Sequence, residues 1–527
     1  MKKNKLYVFL AILTSIFLLS TAAIFNQCGV QTEIETDKEE EIGKTGEEEE
    51  AFDQDPLDEP EIYGDGEILI TFEVKVPDWT PVEDNIYLYI DGFYYGSGGG
   101  IPMEEKDPGI FAASFKALEN QVLKYRYNRN NYGFSTDEEF SPDSEEARRE
   151  IDVGIQPIFV GDEVKNWRWL TSMPPEALIS EFRPDSLPER SGSFIVGAAT
   201  LDFYNPLFND FVSSTLKRIS DSKIDYIGIS YAPSSFTGTE PLTISDEHIN
   251  TYTEEELEFM ITEARKKGMK IMLSAGIETD PRTAEAFERI EEAFKNEHED
   301  EWYIQLVGEW EKSMLKTAEL AERYEIEIFA PSNQWPFWGD QADGQKIILN
   351  DLINDAYLKI RDIYSGIITS DYYAPDEYFD YYKQLDWIGD KWWWEIADKK
   401  ETTIEEMKAE SENIIGDRYQ QIYRKYNKPI LLHQLAYSSY DGAAGAEQIN
   451  TEGPEVSEYY PYNPDYPFDF QEQADAYEAV FQSIYDEPIF IGVFSFSYTY
   501  WDSYDKSAGI RSKPAEDVWM KWSTIFD

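Results

Sequence analysis

From residue 194 onward the chain alternates short, almost wholly apolar runs with amphipathic stretches, and it does so eight times. The runs are FIVGAAT (194–200), YIGISYA (226–232), KIMLSAG (270–276), IEIFA (326–330), GIITS (366–370), LDWIG (385–389), PILLHQ (429–434) and FIGVFSF (490–496). Apolar runs without polar alternation are strands covered on both faces, as happens when helices pack against a parallel sheet. Between them, Phe208, Phe211, Val212, Leu216 and Ile219 recur at helical spacing, and so do Leu306, Trp310, Met314, Ala318 and Ala321. Thr253-Glu-Glu-Glu256 and Thr403-Ile-Glu-Glu406 are capping boxes that open helices, and Gly268 is a helix stop. Eight such repeats predict a (β/α)8 TIM barrel. The competing open, doubly wound sheet lacks its usual companion, a glycine-rich phosphate loop after the first strand.

A barrel of this kind holds its ligand at the C-terminal ends of the strands. Those ends carry Asp202, Tyr231, Glu278, Asn333-Gln334, Asp371-Tyr372-Tyr373, Asp390 with Trp392-Trp393-Trp394, His433-Gln434 and Tyr498-Thr-Tyr500-Trp501-Asp502. Trp335 and Trp338 follow the fourth strand directly. Flat rings beside carboxylates and amides suit a sugar, whose C–H face stacks on a ring while its hydroxyls take directional hydrogen bonds. Each ring taken singly is more often core packing. Together they make Asn333, Trp335, Trp338, Tyr372, Trp392, Tyr437, Tyr500 and Trp501 the candidate substrate contacts. His433, next to Gln434, points elsewhere if the strand alternates regularly. The long stretch 442–469, rich in Gly, Pro and Tyr, is a candidate binding wall or lid.

GMKIMLSAG at the third strand, IEIFAPSNQ at the fourth, LDWIGD at the sixth, KPILLHQLAYSS at the seventh and GVFSFSYTYW at the eighth resemble the glycoside hydrolases of the β-mannanase-containing clan, closest to family 113. The resemblance covers about 190–527. It implies an acid/base glutamate after an asparagine at the fourth strand and a nucleophile glutamate ending the seventh. Carried over, these positions are Gln334, after Asn333, and Gln434. Retaining hydrolysis needs one carboxylate to attack the anomeric carbon and a carboxylic acid to protonate the leaving oxygen. An amide keeps the shape and hydrogen bonding of either group but does neither task. The expectation is a sugar site impaired in hydrolysis. The alternative is an active hydrolase or transglycosylase that uses other rim carboxylates, namely Asp371, Asp390, Asp502 and, less directly, Glu395.

Ahead of the barrel, Ile68, Ile70, Phe72, Val74 and Val76 alternate cleanly, the mark of a half-buried strand. Further strand-like runs at 85–94, 110–117, 122–129 and 149–160, with turn residues between them, predict a β-sandwich. ITFEVKVPDWTP, NIYLYIDGF, VLKYRYNRNNYGF and ARREIDV resemble starch-binding carbohydrate-binding modules. That likeness implies glucan binding on stacked rings, for which Tyr125, Tyr127 and Tyr132 are candidates, packing being the plainer role for strand tyrosines.

Lys2, Lys3 and Lys5 precede the apolar run Leu6–Phe25, the order of an export signal, and the run is long enough to span a bilayer if uncleaved. Cys28 follows at once, resembling a bacterial lipoprotein signal, although Phe25-Asn26-Gln27 replaces the small residues usual there. Residues 31–60 hold 14 acidic residues against two lysines, a self-repelling tether. The expected organisation is signal or anchor 1–28, tether 29–60, sandwich 61–170, linker 171–191 and barrel 192–527. Net charge is −58, which repels phosphate backbones and argues against a nucleic-acid partner. One cysteine excludes an internal disulfide, and three histidines far apart show no metal-ligand spacing, so no metal or other cofactor is expected. The expected partners are a polysaccharide or oligosaccharide and, through the N-terminus, a membrane.

Overall fold

The computed structural model describes residues 67–93, 100–130, 137–139, 148–184, 193–200, 209–239, 242–245, 252–279, 298–331, 343–370, 380–445 and 466–527. The N-terminal part comprises β1 (Glu67–Lys75), β2 (Ile86–Ile90), β3 (Ile101–Pro102), β4 (Glu104–Asp107), β5 (Ile110–Leu118), β6 (Val122–Arg129), β7 (Arg149–Asp152) and β8 (Ile158–Glu163). They form two four-stranded sheets, β4-β5-β1-β8 and β3-β2-β6-β7. The alternating residues Ile70, Phe72 and Val74 of β1 meet Leu88 of β2 and Tyr127 of β6 in one shared core. The run 149–160 is two strands, broken around Gly154 and Pro157. The short strands β3 and β4 escaped the pattern because Glu104–Asp107 is polar throughout and exposed. Tyr125 and Tyr127 are buried and both donate their hydroxyls to Asp162 Oδ2, at 2.9 and 2.8 Å, so they pack the sandwich and do not present a stacking surface.

The C-terminal part is an eight-stranded, wholly parallel sheet. Its strands are β9 (Ile195–Thr200), β10 (Tyr226–Tyr231), β13 (Lys270–Ala275), β15 (Ile328–Pro331), β16 (Ile367–Ile368), β17 (Ile388–Trp392), β18 (Ile430–Leu435) and β19 (Phe490–Tyr498). Their order is β16-β15-β13-β10-β9-β19-β18-β17. The two outer strands meet: Asp386 N donates to Ile368 O at 2.8 Å, Thr369 Oγ1 to Trp387 O at 3.2 Å and Ser370 Oγ to Gly389 O at 3.2 Å. A Cβ at Gly389 would lie 1.8 Å from Ser370 O, so glycine is required for this closure. Helices cover the outside: α1 (Asn209–Asp221), α2 (Glu254–Lys266), α3 (Asp300–Arg323), α4 (Asp343–Ile363), α5 (Ile404–Ile414), α6 (Gln420–Tyr426), α7 (Phe470–Tyr485) and α8 (Pro514–Phe526). Both anticipated capping boxes are formed, at Thr253/Glu256 and Thr403/Glu406, and Gly268 follows α2 with φ +76°.

The barrel's interior is plugged near the strands' N-terminal ends by Ile195, Met272, Ile328, Leu431, Ile491 and Phe494. Phe494 leans on Gly197, where a Cβ would lie 2.2 Å from the ring. On the opposite side, β11 (Ser235–Thr239) and β12 (Leu242–Ser245) form a hairpin that pairs with β14 (Glu278–Thr279), just beyond β13. Residues 171–184 run along the helices rather than through solvent alone. Leu178 and Gln471 exchange two hydrogen bonds, Lys521 Nζ donates to Ser180 O at 2.9 Å, and Phe182 stacks on Trp522. The sandwich meets the β19–α8 loop directly: Arg129 Nη2 donates to Asp502 O at 3.2 Å, and Tyr504 N donates to Trp169 O at 2.6 Å.

Part of the long β18–α7 connection is described, and it is clamped by carboxylates. Asp469 caps α7 by accepting from Glu472 N at 2.8 Å. Buried Glu472 accepts from Gly442 N at 2.7 Å and Ala444 N at 2.8 Å. Oxygens of Asp441, Asp469 and Glu472 all lie within 4.8 Å of one another, but Lys400 and the backbone amides already answer them. Among the described residues no helix is long and apolar enough to cross a membrane.

Two predictions follow from these contacts. Asp84 and Arg129 form an ion pair at 2.5 Å with neither side chain exposed. Asp84→Ala strands the guanidinium and is expected to cost about 3 kcal/mol in denaturant unfolding, whereas a change under ~1 kcal/mol would mean the pair contributes little. Burial pushes the Glu472 carboxyl up to about 7 from an ordinary 4.5, against the pull of the two amides. A raised carboxyl pKa stabilises the fold below 4.5, and that share is lost as pH rises through 7. Glu472→Gln, uncharged throughout, should therefore flatten the melting-temperature profile between pH 4.5 and 7; parallel profiles would refute the assignment.

Candidate functional site

The orientation of side chains at the barrel mouth turns on one residue. Strands β17 and β18 pair Ile388 with Ile430, Gly389 with Leu431, Asp390 with Leu432, and then Lys391 with Gln434 and Trp392 with Leu435. His433 is thus an extra residue in β18, a β-bulge. Before it, Leu431 faces the barrel plug while Ile430 and Leu432 pack with the helices. Strict alternation would then turn Gln434 outward. The added residue restores the inward face to Gln434 and sends Leu435 out to the helix layer. The pairing with β19 agrees, because Leu432 meets Val493 and Leu435 meets Ser495, leaving His433 and Gln434 opposite inward-facing Phe494. The regular alternation on which the opposite facing of His433 and Gln434 was conditional does not hold at this bulge.

Gln434 is the penultimate residue of the seventh strand of the parallel sheet and is half-buried. Its Oε1 is itself buried and has no hydrogen-bond partner among the described residues. Beside it, Lys391 is 7% exposed and sets its Nζ 5.5 Å from the centroid of Trp393. Trp393 meets Phe496 edge to face at 5.2 Å, and Phe496 lies two residues beyond Phe494 on the same face of β19. Three neighbouring strands therefore present an amide, an ammonium and two rings in one patch.

The outward face of the same strands accounts for several expected sugar contacts. Trp392 is fully buried, stacks on Tyr419 at 5.3 Å and donates from Nε1 to Tyr437 Oη at 2.9 Å. Tyr437, 1% exposed, donates its own hydroxyl to Trp394 O at 2.9 Å, and burial raises its pKa. Tyr500 bonds Tyr252 hydroxyl to hydroxyl at 2.7 Å, and Trp501 packs edge-on to Phe211. Trp392, Tyr437, Tyr500 and Trp501 are thus corrected from sugar contacts to core residues. Of the tryptophan triplet it is Trp393 that parity turns to the mouth.

Two of the alternative carboxylates are engaged in ion pairs. Asp390, on the outward face, accepts from Arg418 Nε at 3.1 Å and from Lys391 N at 3.0 Å. Arg418 and Tyr419 belong to a π turn, Ile415–Tyr419, which brings both against β17. Asp502 Oδ1 accepts from Ser512 Oγ at 2.6 Å, Arg511 Nε at 2.9 Å and Arg218 Nη1 at 3.3 Å. Burial works to raise its pKa, but Arg511, Ser512 and Arg218 together hold it below the ordinary value, which unfits it as a proton donor. Glu395, at the rim beyond β17, has its pKa raised by burial.

Gln334, Asn333, Trp335, Trp338, Asp371, Tyr372 and Cys28 lie outside the described residues. Strand β15 ends at Pro331, shortly before Asn333. Neither Lys391 nor Phe496 is marked by the sequence, and Trp393 is marked there only as a strand-end ring, not as a substrate contact. The available signal was the pairing of apolar Ile388 and Trp392 on one parity, which leaves Lys391 on the other; the bulge that aligns it with Gln434 has no signature.

The family model for Glycoside Hydrolase Family 113 matches residues 208–515, more than half of the chain. Similar solved structures include a family 113 β-1,4-mannanase, 18% identical, with TM-score 0.48, covering 63% of this chain and 99% of its own. The family 113 β-mannanase of Alicyclobacillus acidocaldarius, in complex with ManMIm, is 17% identical with TM-score 0.47, covering 64% and 99%. A family 5 mannosidase of Rhizomucor miehei is 12% identical with TM-score 0.42, covering 63% and 93%. No curated protein matches the chain. On the strength of the family model, the chain belongs to Glycoside Hydrolase Family 113.

Proposed function

We propose that the barrel holds a saccharide at its mouth and does not cleave it. The observation that carries this reading is Gln434. It stands at the end of the seventh strand, where the resemblance implies a nucleophile, and its buried amide oxygen lacks a partner among the described residues. Leaving a buried acceptor unsatisfied costs roughly 1–3 kcal/mol, a cost that a ligand hydroxyl would remove. The same amide cannot attack an anomeric carbon. Gln334 completes the proposal as the amide in the acid/base position. The rings of Trp393 and Phe496 offer the flat apolar surface that a pyranose face needs.

The wider assignment belongs to the same proposal. The signal-like segment 6–25 and Cys28 support export and tethering at a membrane, and the sandwich would be a second carbohydrate-contacting module before the barrel. With Tyr125 and Tyr127 buried, exposed rings among the described residues of this module include Trp79, at 38%, and Phe159, at 65%; Tyr132 lies outside the described residues. Against the alternative of hydrolysis through other carboxylates stand the existing bonds of Asp390 and Asp502 to arginines.

A binding and turnover screen over soluble mannans, glucans and their oligomers tests the reading. Binding without release of reducing ends is expected, and Gln434→Ala should weaken it about tenfold, the worth of one hydrogen bond. Turnover that survives Gln334→Ala together with Gln434→Ala would sink the proposal. Asp390→Asn is expected to lower stability by about 2 kcal/mol through loss of the Arg418 pair, leaving saccharide binding unchanged. Loss of binding at unchanged stability would return Asp390 to the mouth.

A further inference from the structure

We propose that the saccharide is an acidic one, a uronic acid-containing chain whose carboxylate is received by Lys391; this rests on the reading of the mouth as a saccharide site. Lys391 is more than nine-tenths buried and is the register partner of Gln434 on the inward face. Among the described residues no carboxylate pairs with its ammonium, whose recorded contact is the face of Trp393. Four other buried cations differ in this respect, whereas Lys506, also buried, likewise lies over a ring, that of Phe468. Arg129, Arg511, Lys513 and Lys521 are similarly buried, and each is paired, with Asp84, Asp502, Asp505 and Glu478 respectively. With 104 acidic residues in the chain, a partner for one more cation is cheap to place.

A buried charge without a partner is costly, and an aromatic face offsets only part of that cost. An ammonium so placed, on the inward face one residue from the C-terminal end of β17, is answered by an anion arriving from outside. The neighbouring amide sharpens the point. A glutamate at position 434 would sit across the strand pair from Lys391 and neutralise it. Glutamine leaves the positive charge free and removes the negative one that would repel a ligand carboxylate. A charge-assisted contact to Lys391, a hydroxyl to Gln434 Oε1 and a pyranose face on Trp393 and Phe496 are together what a hexuronate offers.

The net charge of −58 does not oppose this at contact range. Repulsion from surface carboxylates is screened over about 8 Å at physiological ionic strength, so it slows encounter with an anionic chain more than it weakens a contact inside the mouth.

The test compares oligomers of equal length that differ only in oxidation at C6: β-1,4-linked mannose against mannuronate, and β-1,4-linked glucose against glucuronate. Calorimetric titration of the intact protein is expected to show the acidic member of at least one pair binding about tenfold more tightly. Lys391→Met should abolish that preference, Lys391→Arg should keep it, and Gln434→Glu should weaken the acidic ligand more than the neutral one; circular dichroism confirms that each variant is folded. Equal or tighter binding of the neutral oligomers by the native protein overturns the acidic ligand while leaving the saccharide reading intact. A preference that persists in folded Lys391→Met overturns Lys391 as its source. Binding of neither member of either pair overturns both proposals.

Discussion

The chemistry available at the barrel mouth depends on the one-residue bulge in β18. A strand has two faces, and a single inserted residue exchanges them for everything beyond it. Leu431 and Leu432 obey the alternation set by the plug and the helices. With His433 inserted, Gln434 joins the inner face and Leu435 the outer one. Without it, the amide would be pressed against the helix layer and a leucine would stand in the mouth. The neighbouring strand β17 needs no bulge, since Gly389 and Lys391 are inward and Asp390 and Trp392 outward in plain alternation.

The outward set is held as firmly as the inward set is left open. Trp392 lies flat on Tyr419, and Asp390 is bonded to Arg418, two consecutive residues of the π turn. A π turn widens the helix by one residue and so changes which side chains face the sheet. Elsewhere the acidic surplus of the chain is likewise spent on fastening. Glu478 receives Lys521 and Trp522 between α7 and α8, and Asp502 gathers Arg511 and Arg218 where the barrel meets the sandwich. The described side of the mouth runs the other way, with the ammonium of Lys391 beside the amide of Gln434, the position where the family resemblance implies a carboxylate.

Much of the fold was legible because its signals are local. All eight strands of the parallel sheet fall on the apolar runs, β17 displaced by about three residues toward its C-terminus because LDWIG mixes a turn with the strand proper. Capping boxes at Thr253 and Thr403 form within four residues of chain, so they survive any tertiary context. The site was legible only in part. Gln434 was found by its place at the end of a strand, but Trp392, Tyr437, Tyr500 and Trp501 were assigned to the mouth because aromatic composition says nothing about face. Nothing local marks Lys391, since a lysine at a strand end is ordinarily solvated.

By itself, then, the amino-acid order determined the eight strands of the parallel sheet, their sequence and the apolar character of both sheet faces, since these depend on periodicities of two to four residues. It also determined that an amide, not a carboxylate, ends the seventh strand. Which side chains share the mouth was decided by strand register, the bulge at His433 and the π turn at Ile415–Tyr419. Those are settled by packing between segments tens of residues apart, where one residue's offset costs little locally and reverses every face that follows it.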